Sequence, residues 1–217
     1  EAGQQVYVSS AAGAVGQVAV QLAKLQGARV IGSAGSDAKV GFLTDTLGID
    51  GAFNYKAETS YAAALARFFP DGIDMYFDNV GGEALDAVLG LAKPFARLPL
   101  CGMISGYNDA GGYGMKNLTQ VNRMRLTLQG YIVRDHYHLL PEYLEKMAGW
   151  LKSGQAKYIE DITDGKGLMD RLAGAAARKP LVVVKGADPW TLSRLVIHEL
   201  AHRLLATCVP SAPPWLH

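Results

Sequence analysis

Cysteine is nearly absent: Cys101 and Cys208 are the only two in 217 residues. That excludes a disulfide framework and a CxxC metal or redox pair. It makes a reducing compartment, the cytoplasm, the expected setting. An excess of one charge is missing as well. Twenty-one basic residues stand against 20 acidic ones, a formal net charge of +1. Bulk charge therefore points to no polyanion or nucleic-acid partner, although a local anion pocket stays open. Apolar runs fall far short of the roughly 18 residues a membrane helix needs, so no membrane span is expected. At 49% apolar and 19% charged, the chain has too much core material for a disordered segment. It suffices for one full domain with room for an appendage. No signal peptide is expected in these residues, which open with no basic start and no apolar h-region. Because Gln4 to Ser9 already reads as a strand behind Glu1, the expectation is a fragment or processed product.

What is present is an alternation. Val6-Tyr7-Val8 leads into a helix-compatible stretch from Val15 to Gln26, and Arg29-Val30-Ile31 into Asp37 to Leu47. Ala52-Phe53-Asn54 leads into Tyr61 to Phe69, and Asp74 to Phe77 into Glu83 to Ala92. Arg97 to Leu100 is followed by a glycine-rich loop from Gly102 to Gly114, a helix from Leu118 to Arg125 and a strand from Leu126 to Val133. Strands alternating with helices at this spacing predict βαβ units around a doubly wound parallel sheet, an α/β fold. Pro99 fits a central strand poorly, which loosens that boundary. Leu139 to Leu151 reads as a helix with Pro141 near its first turn. Tyr158 to Ile162 and Leu181 to Val184 read as two further strands around a helix from Leu168 to Ala177.

The first strand runs straight into Ala11-x-Gly13-x-x-Gly16, a variant of the dinucleotide fingerprint with alanine first. Gly13 lets the backbone approach a pyrophosphate, Gly16 lets the helix pack on the strand, and the helix N-terminus offers free N–H groups to phosphate. The position after a strand and before a helix is the context this motif requires. A tight structural turn is the alternative. An NAD site usually has Asp or Glu at the end of the second strand, but here that end reads Gly32-Ser33-Ala34-Gly35-Ser36. Asp37 comes later, as the first residue of a helix that Ser36 is expected to cap. Lys39 in that first turn is placed to meet a 2′-phosphate, which favours NADP(H); otherwise it is a solvated surface lysine. Ligands in open α/β sheets sit outside the carboxyl ends of strands. Two such ends are polar and glycine-rich, Asp78 to Gly82 and Cys101 to Asn108. Asn79 there is either a ribose ligand or a helix cap. Tyr107 either donates a phenolic proton or shields the loop.

Together SSAAGAVGQ (Ser9 to Gln17), GSAGSDAKV (Gly32 to Val40), FNYK (Phe53 to Lys56), PDGIDMYFDNVGG (Pro70 to Gly82), CGMISGYN (Cys101 to Asn108), GYIV (Gly130 to Val133) and YIEDI (Tyr158 to Ile162) resemble the zinc-independent medium-chain dehydrogenase/reductase superfamily. The resemblance is to its NADP-dependent alkenal double-bond reductases and the related prostaglandin (leukotriene) reductases. It covers about residues 1 to 186. It implies a Rossmann NADP-binding domain over 1–156, a segment 157–186 that packs on a further, catalytic domain, and an extra tail over 187–217. It further implies hydride transfer to the β-carbon of an enal or enone substrate, with a homodimer as the expected assembly. The cofactor contacts it implies begin with Ala12, Gly13, Ala14, Val15 and Gly16 in the first turn. Lys39 takes the 2′-phosphate, Tyr55 lies by the adenosine phosphate, and Asn79 lines the cleft. Cys101, Ser105 and Tyr107 follow from the next loop, and Tyr131 and Val133 from GYIV. Tyr107 is the implied catalytic donor, at the enolate or the nicotinamide ribose. The sequence departs from the family where the last helix should lead into G-x-N-x-G-K: Gly174 to Lys179 has Ala176 for the asparagine and Arg178 for the glycine. The resemblance also implies an N-terminal barrel-like domain that walls the cleft; residues 1–217 are expected not to include it, and turnover by them alone is expected to be impaired.

The tail differs in composition. All 25 glycines lie at or before Gly186, while the tail holds prolines 189, 210, 213 and 214. It reads as a short helical extension, then irregular. Within it His198-Glu199-Leu200-Ala201-His202 matches H-E-x-x-H, two histidines on one helix face with a glutamate base. A catalytic zinc needs a third protein ligand. Leu205 and Cys208 stand where the longer pattern has glycine and histidine. The expectation is no bound metal, an amphipathic helix instead. A catalytically silent nucleotide-binding or interaction module is the main alternative to the reductase, and a zinc hydrolase built on the tail is the remaining one.

Overall fold

The computed structural model describes residues 2–107 and 112–158 together with the backbone of 161–163 and 182–184. In strand β1, Gln5–Val8, the side chains alternate sides. Val6 and Val8 enter one buried cluster and Tyr7 the other, the period-2 pattern of a strand buried on both faces. Helix α1, Gly16–Leu25, covers the valine side with Val18, Ala19, Leu22 and Ala23. Gly27, at φ +77°, ends it. A left-handed residue there lets Ala28 N–H reach back to the Ala23 carbonyl at 3.1 Å, satisfying one of the helix's last acceptors.

The alternation then repeats through β2 (Arg29–Ala34), α2 (Asp37–Gly41), β3 (Gly51–Asn54), α3 (Tyr61–Phe68), β4 (Ile73–Phe77), α4 (Gly82–Leu91), β5 (Ala92–Leu100), α5 (Gln120–Arg123), β6 (Thr127–Gly130) and α6 (Leu140–Lys152). Strands β1 to β6 pair in parallel in the order β3-β2-β1-β4-β5-β6. The chain reverses its direction of winding between β1 and β4, the place where an open α/β sheet leaves a crevice. The expected doubly wound parallel sheet is therefore what the chain forms.

Several boundaries differ from the expected ones. The helix that begins at Asp37 passes into a π-helical stretch, Phe42–Thr46. Ser36 precedes α2 in extended conformation, but its side chain makes no capping bond. Strand β5 starts five residues before Arg97 and takes in Phe95, at φ +65°. A register shift opposite Ile73 and Met75 absorbs the irregularity. Pro99 is accommodated because its carbonyl still accepts from Asp78 N–H at 3.0 Å; only its own missing N–H is lost. Helix α5 is shorter than the stretch from Leu118 to Arg125, and a 3-10 stretch, Val133–Leu139, precedes α6. Pro141 sits in the first turn of α6, where its absent N–H costs nothing.

One cluster lies between the sheet and α1, with Met147 and Trp150 of α6 packed against it. The other, against α3 and α4, centres on Tyr7. The Tyr7 ring stacks on Tyr76 at 5.0 Å and on Phe53 at 6.0 Å, and its hydroxyl bonds Ser33 Oγ at 2.7 Å. Gln21, buried in α1, donates to the Lys157 carbonyl at 3.0 Å and accepts from Lys157 N–H at 2.6 Å. This pair fixes the chain beyond α6. Two short parallel strands, β7 (Asp161–Thr163) and β8 (Val182–Val184), form a separate pair; β8 falls within the second stretch read as a strand, and β7 overlaps the end of the first and runs one residue past it. The helix expected from Leu168 to Ala177, the Gly174 to Lys179 stretch, Asn108 and the His198 to His202 motif lie outside the described residues. No helix among the described residues is long and apolar enough to cross a membrane.

Candidate nucleotide-binding site

The turn from β1 to α1 shows why its small residues are needed. Ala11 is fully buried, and its N–H donates to the Ser33 carbonyl at 2.8 Å. A Cβ on Gly32 would meet the Ala11 methyl at 2.7 Å, so the two positions share one space. A Cβ on Gly16 would stand 2.3 Å from the Ser10 carbonyl oxygen and 2.6 Å from Ala11 Cα. Only glycine lets α1 approach the turn this closely. Gly13 is different: a Cβ there would lie 3.1 Å from the Ser10 oxygen, tight but not forbidden by the protein itself. Val15 precedes the helix with no side-chain cap. Gly13 N–H is bonded to Ser10 and Gln17 N–H to Gly13, whereas the N–H groups of Ala14, Val15 and Gly16 have no acceptor among the described residues. Three such open donors at a helix start are an arrangement that can receive an anion.

Beside this turn stand the ends of β4 and β5, and Asp78 joins them. Asp78 is completely buried. Its Oδ1 accepts from Tyr76 Oη at 2.6 Å, from Val80 N–H and Gly81 N–H at 2.8 Å each, and from Ser9 Oγ at 3.4 Å. Its own carbonyl accepts from Cys101 N–H at 2.8 Å and Gly102 N–H at 3.1 Å. Its Oδ2 has no partner. Burial pushes the carboxyl above the ordinary range, and the bonds from Gly81, Tyr76, Val80 and Ser9 pull it partly back. Asn79 Nδ2 donates to the Ser9 carbonyl at 2.7 Å, so Asn79 ties β4 to β1 rather than capping α4. The residue before α4 is Gly81.

The loop after β5 rests on this turn. Gly81 and Gly82 have φ of +68° and +54°. Side chains there would run into Met103 Cβ at 3.0 Å and Ser105 Oγ at 2.7 Å. Ser105 Oγ donates to the Val80 carbonyl at 2.6 Å. Tyr107 is 68% exposed, and its hydroxyl accepts from Met103 N–H at 3.3 Å. Cys101 is half-buried, and burial pushes its thiol up to about 12.

At the end of β2, Tyr55 leans over Gly35, where an added Cβ would meet its hydroxyl at 3.1 Å. The Tyr55 ring stacks on Tyr61 at 5.7 Å. Lys39 is exposed and makes no ion pair among the described residues. Tyr131, 7% exposed, packs in the core beside α6 with its N–H on the Leu100 carbonyl at 3.1 Å, and Val133 packs against the same cluster. The structure therefore gathers the β1, β4 and β5 turn residues at the carboxyl ends of neighbouring strands, with Tyr55 over the end of β2 and Lys39 in the helix that follows it. Sequence reasoning passed over Ser9, Asn54 and Asp78. An acid closing an apolar strand just before Asn-Val-Gly-Gly was the available signal for Asp78. No group of three or more His, Cys, Asp or Glu residues that would hold a metal occurs among the described residues.

Residues 14–153 match the family described as Zinc-binding dehydrogenase. Over 163 residues the chain is 50% identical to a 2-alkenal reductase (NADP(+)-dependent) of Nicotiana tabacum, covering 75% of this chain and 48% of that one. It is 46% identical to (+)-pulegone reductase of Mentha piperita, with the same coverage of both, and 44% identical over 165 residues to prostaglandin reductase 1 of Mus musculus, covering 75% and 50%. The crystal structure of CurA in complex with NADPH from Vibrio vulnificus superposes with a TM-score of 0.75 at 37% identity, over 87% of this chain and 58% of that one. The chain thus spans about half the length of the curated relatives it matches. With the switch-point turn, the glycine-dependent helix approach and a family match across most of the sheet, the chain belongs to the zinc-binding dehydrogenase family.

Proposed function

We propose that this chain binds NADP(H) and forms the cofactor half of an oxidoreductase that reduces the carbon–carbon double bond of α,β-unsaturated aldehydes or ketones. The observation that carries the reading is the β1–α1 turn, where three main-chain N–H groups stand open beside a glycine whose missing side chain the fold itself does not demand. A pyrophosphate fits that donor set. The names of the relatives, alkenal, pulegone and prostaglandin reductases, support the substrate class.

When bound, the reduced nicotinamide supplies the hydride. The chain's own residues hold and orient. Ala14, Val15 and Gly16 hold the pyrophosphate through their N–H groups, and Lys39 and Tyr55 take the 2′-phosphate end. Asn79 keeps Oδ1 as an acceptor for a sugar hydroxyl, because its Nδ2 is committed to Ser9. The Tyr107 hydroxyl already accepts from Met103 N–H, which leaves its proton for the substrate oxygen, where negative charge collects during reduction. A fixed donor at that place lowers the barrier. Tyr107 or a water then delivers the proton to the α-carbon.

The test is a titration of the chain with NADPH and with NADH, followed by nicotinamide fluorescence, and then assay with a 2-alkenal. Binding that favours NADPH supports the cofactor reading, and turnover supports the rest. Binding without turnover would leave a nucleotide-binding module; no binding of either nucleotide would overturn the proposal.

A further inference from the structure

We propose that Asn54 is a positioning residue that sets the preference between the two nicotinamide dinucleotides by restraining the carboxylate of Asp37. The inference rests on the dinucleotide reading above. Ala34 and Asn54 are register partners at the ends of β2 and β3. The β2 end itself carries no acid, and the first carboxylate along the chain is Asp37, the first residue of α2. A free carboxylate there would accept from a ribose 2′-hydroxyl and repel a 2′-phosphate. It would also lie two residues from Lys39 and offer that lysine a counter-charge.

Asn54 works against both by tethering one oxygen of that carboxylate. Asn54 Oδ1 accepts from Lys56 N–H at 3.2 Å, an Asx turn. The amide orientation is thereby set, and Nδ2 donates to Asp37 Oδ1 at 2.8 Å. The reverse orientation would bring two oxygens together at Asp37 and two N–H groups together at Lys56. Neither Lys39 nor Lys56 is in an ion pair among the described residues. One half-buried amide therefore tethers the carboxylate through Oδ1, and Lys39 keeps its charge for a phosphate. Neither Asn54 nor Asp37 needs to touch the nucleotide's reacting ring.

The experiment measures dissociation constants of the full chain for NADPH and NADH in four proteins: unaltered, Asn54→Ala, Asp37→Asn and the double variant. Asn54→Ala should lower the preference for NADPH about fivefold, the size of one close charge contact in water. In the Asp37→Asn background the same change should leave the ratio where it was, because no carboxylate remains to restrain. That rescue separates positioning from a general loss of structure. Should Asn54→Ala fail to fold, Asn54→Ser keeps an acceptor for Lys56 N–H without the reach to Asp37 and reads the same ratio. If the unaltered chain prefers NADPH and the ratio does not move in the folded variant, or moves equally without the Asp37 carboxylate, the inference is overturned alone. If the unaltered chain binds neither nucleotide, the cofactor reading falls and this inference with it.

Discussion

Ser105 donates twice to Val80: its Oγ lies 2.6 Å and its N–H 3.1 Å from the one carbonyl oxygen. That doubled bond lays the β5 loop across the β4 turn and sets where Tyr107 stands. Ser105→Ala removes the side-chain half only. At an exposed position the expected loss is small, about 0.5–1 kcal/mol in urea unfolding. Tyr107→Phe should cost less stability still, yet lower the rate of NADPH-dependent alkenal reduction at least tenfold while NADPH affinity holds. An undiminished rate would remove Tyr107 from the chemistry.

The two glycines of the first turn should separate folding from binding. Gly16→Ala drives a methyl into the Ser10 carbonyl and Ala11 backbone and should destabilise the chain by about 1–3 kcal/mol. Gly13→Ala meets only contacts just above 3 Å, so unfolding should change little while NADPH affinity drops. Equal losses of stability in the two variants would contradict the assignment.

Lys39→Ala should weaken NADPH by about fivefold to tenfold and leave NADH nearly unchanged, since the lost contact is to the 2′-phosphate alone. The difference between the variant and the unaltered chain should shrink as salt is raised. Equal losses for both nucleotides would refute the assignment.

Asp78 should leave a mark on the pH dependence of stability. Its carboxyl is raised from the ordinary 3.8, chiefly by burial. The folded chain therefore keeps a proton that the unfolded chain has released. Stability from this group is full below the unfolded value and is lost as pH rises through the folded one. In Asp78→Asn that contribution is gone, and the change in unfolding free energy between about pH 4 and about pH 7 should be less negative than in the unaltered chain. Asp78→Ala, which strips the acceptor from Tyr76, Val80 and Gly81, should cost at least ~2 kcal/mol at either pH.

The alternation of apolar runs and helix-compatible stretches was enough to read the parallel sheet and the β1–α1 turn, because those features depend on local periodicity and on small residues at fixed spacing. What stayed illegible depends on partners distant in sequence. That Asn79 does not cap α4 turned on Ser9, 70 residues away. The early start of β5 depended on Met75 and Ile73 across the sheet. Ser36 has the residue type and the extended backbone of a cap, yet its side chain bonds no N–H of α2. Asp78 was passed over because an acid between a strand and a glycine turn reads as surface until burial is known. Asn54 was hidden because a strand-ending asparagine acquires meaning only when Asp37 faces it.

The stacked rings of Tyr7 and Tyr76 have a kinetic consequence. β1 and β4 are the seam between the two halves of the sheet, and the rings meet only when segments 69 residues apart have paired. Parallel pairing at that separation is a late and slow event. The near-ultraviolet circular dichroism of the coupled phenols is therefore a clock for closure of the seam. It should lag behind the far-ultraviolet helix signal during refolding, and Tyr76→Phe should dim the clock without stopping it.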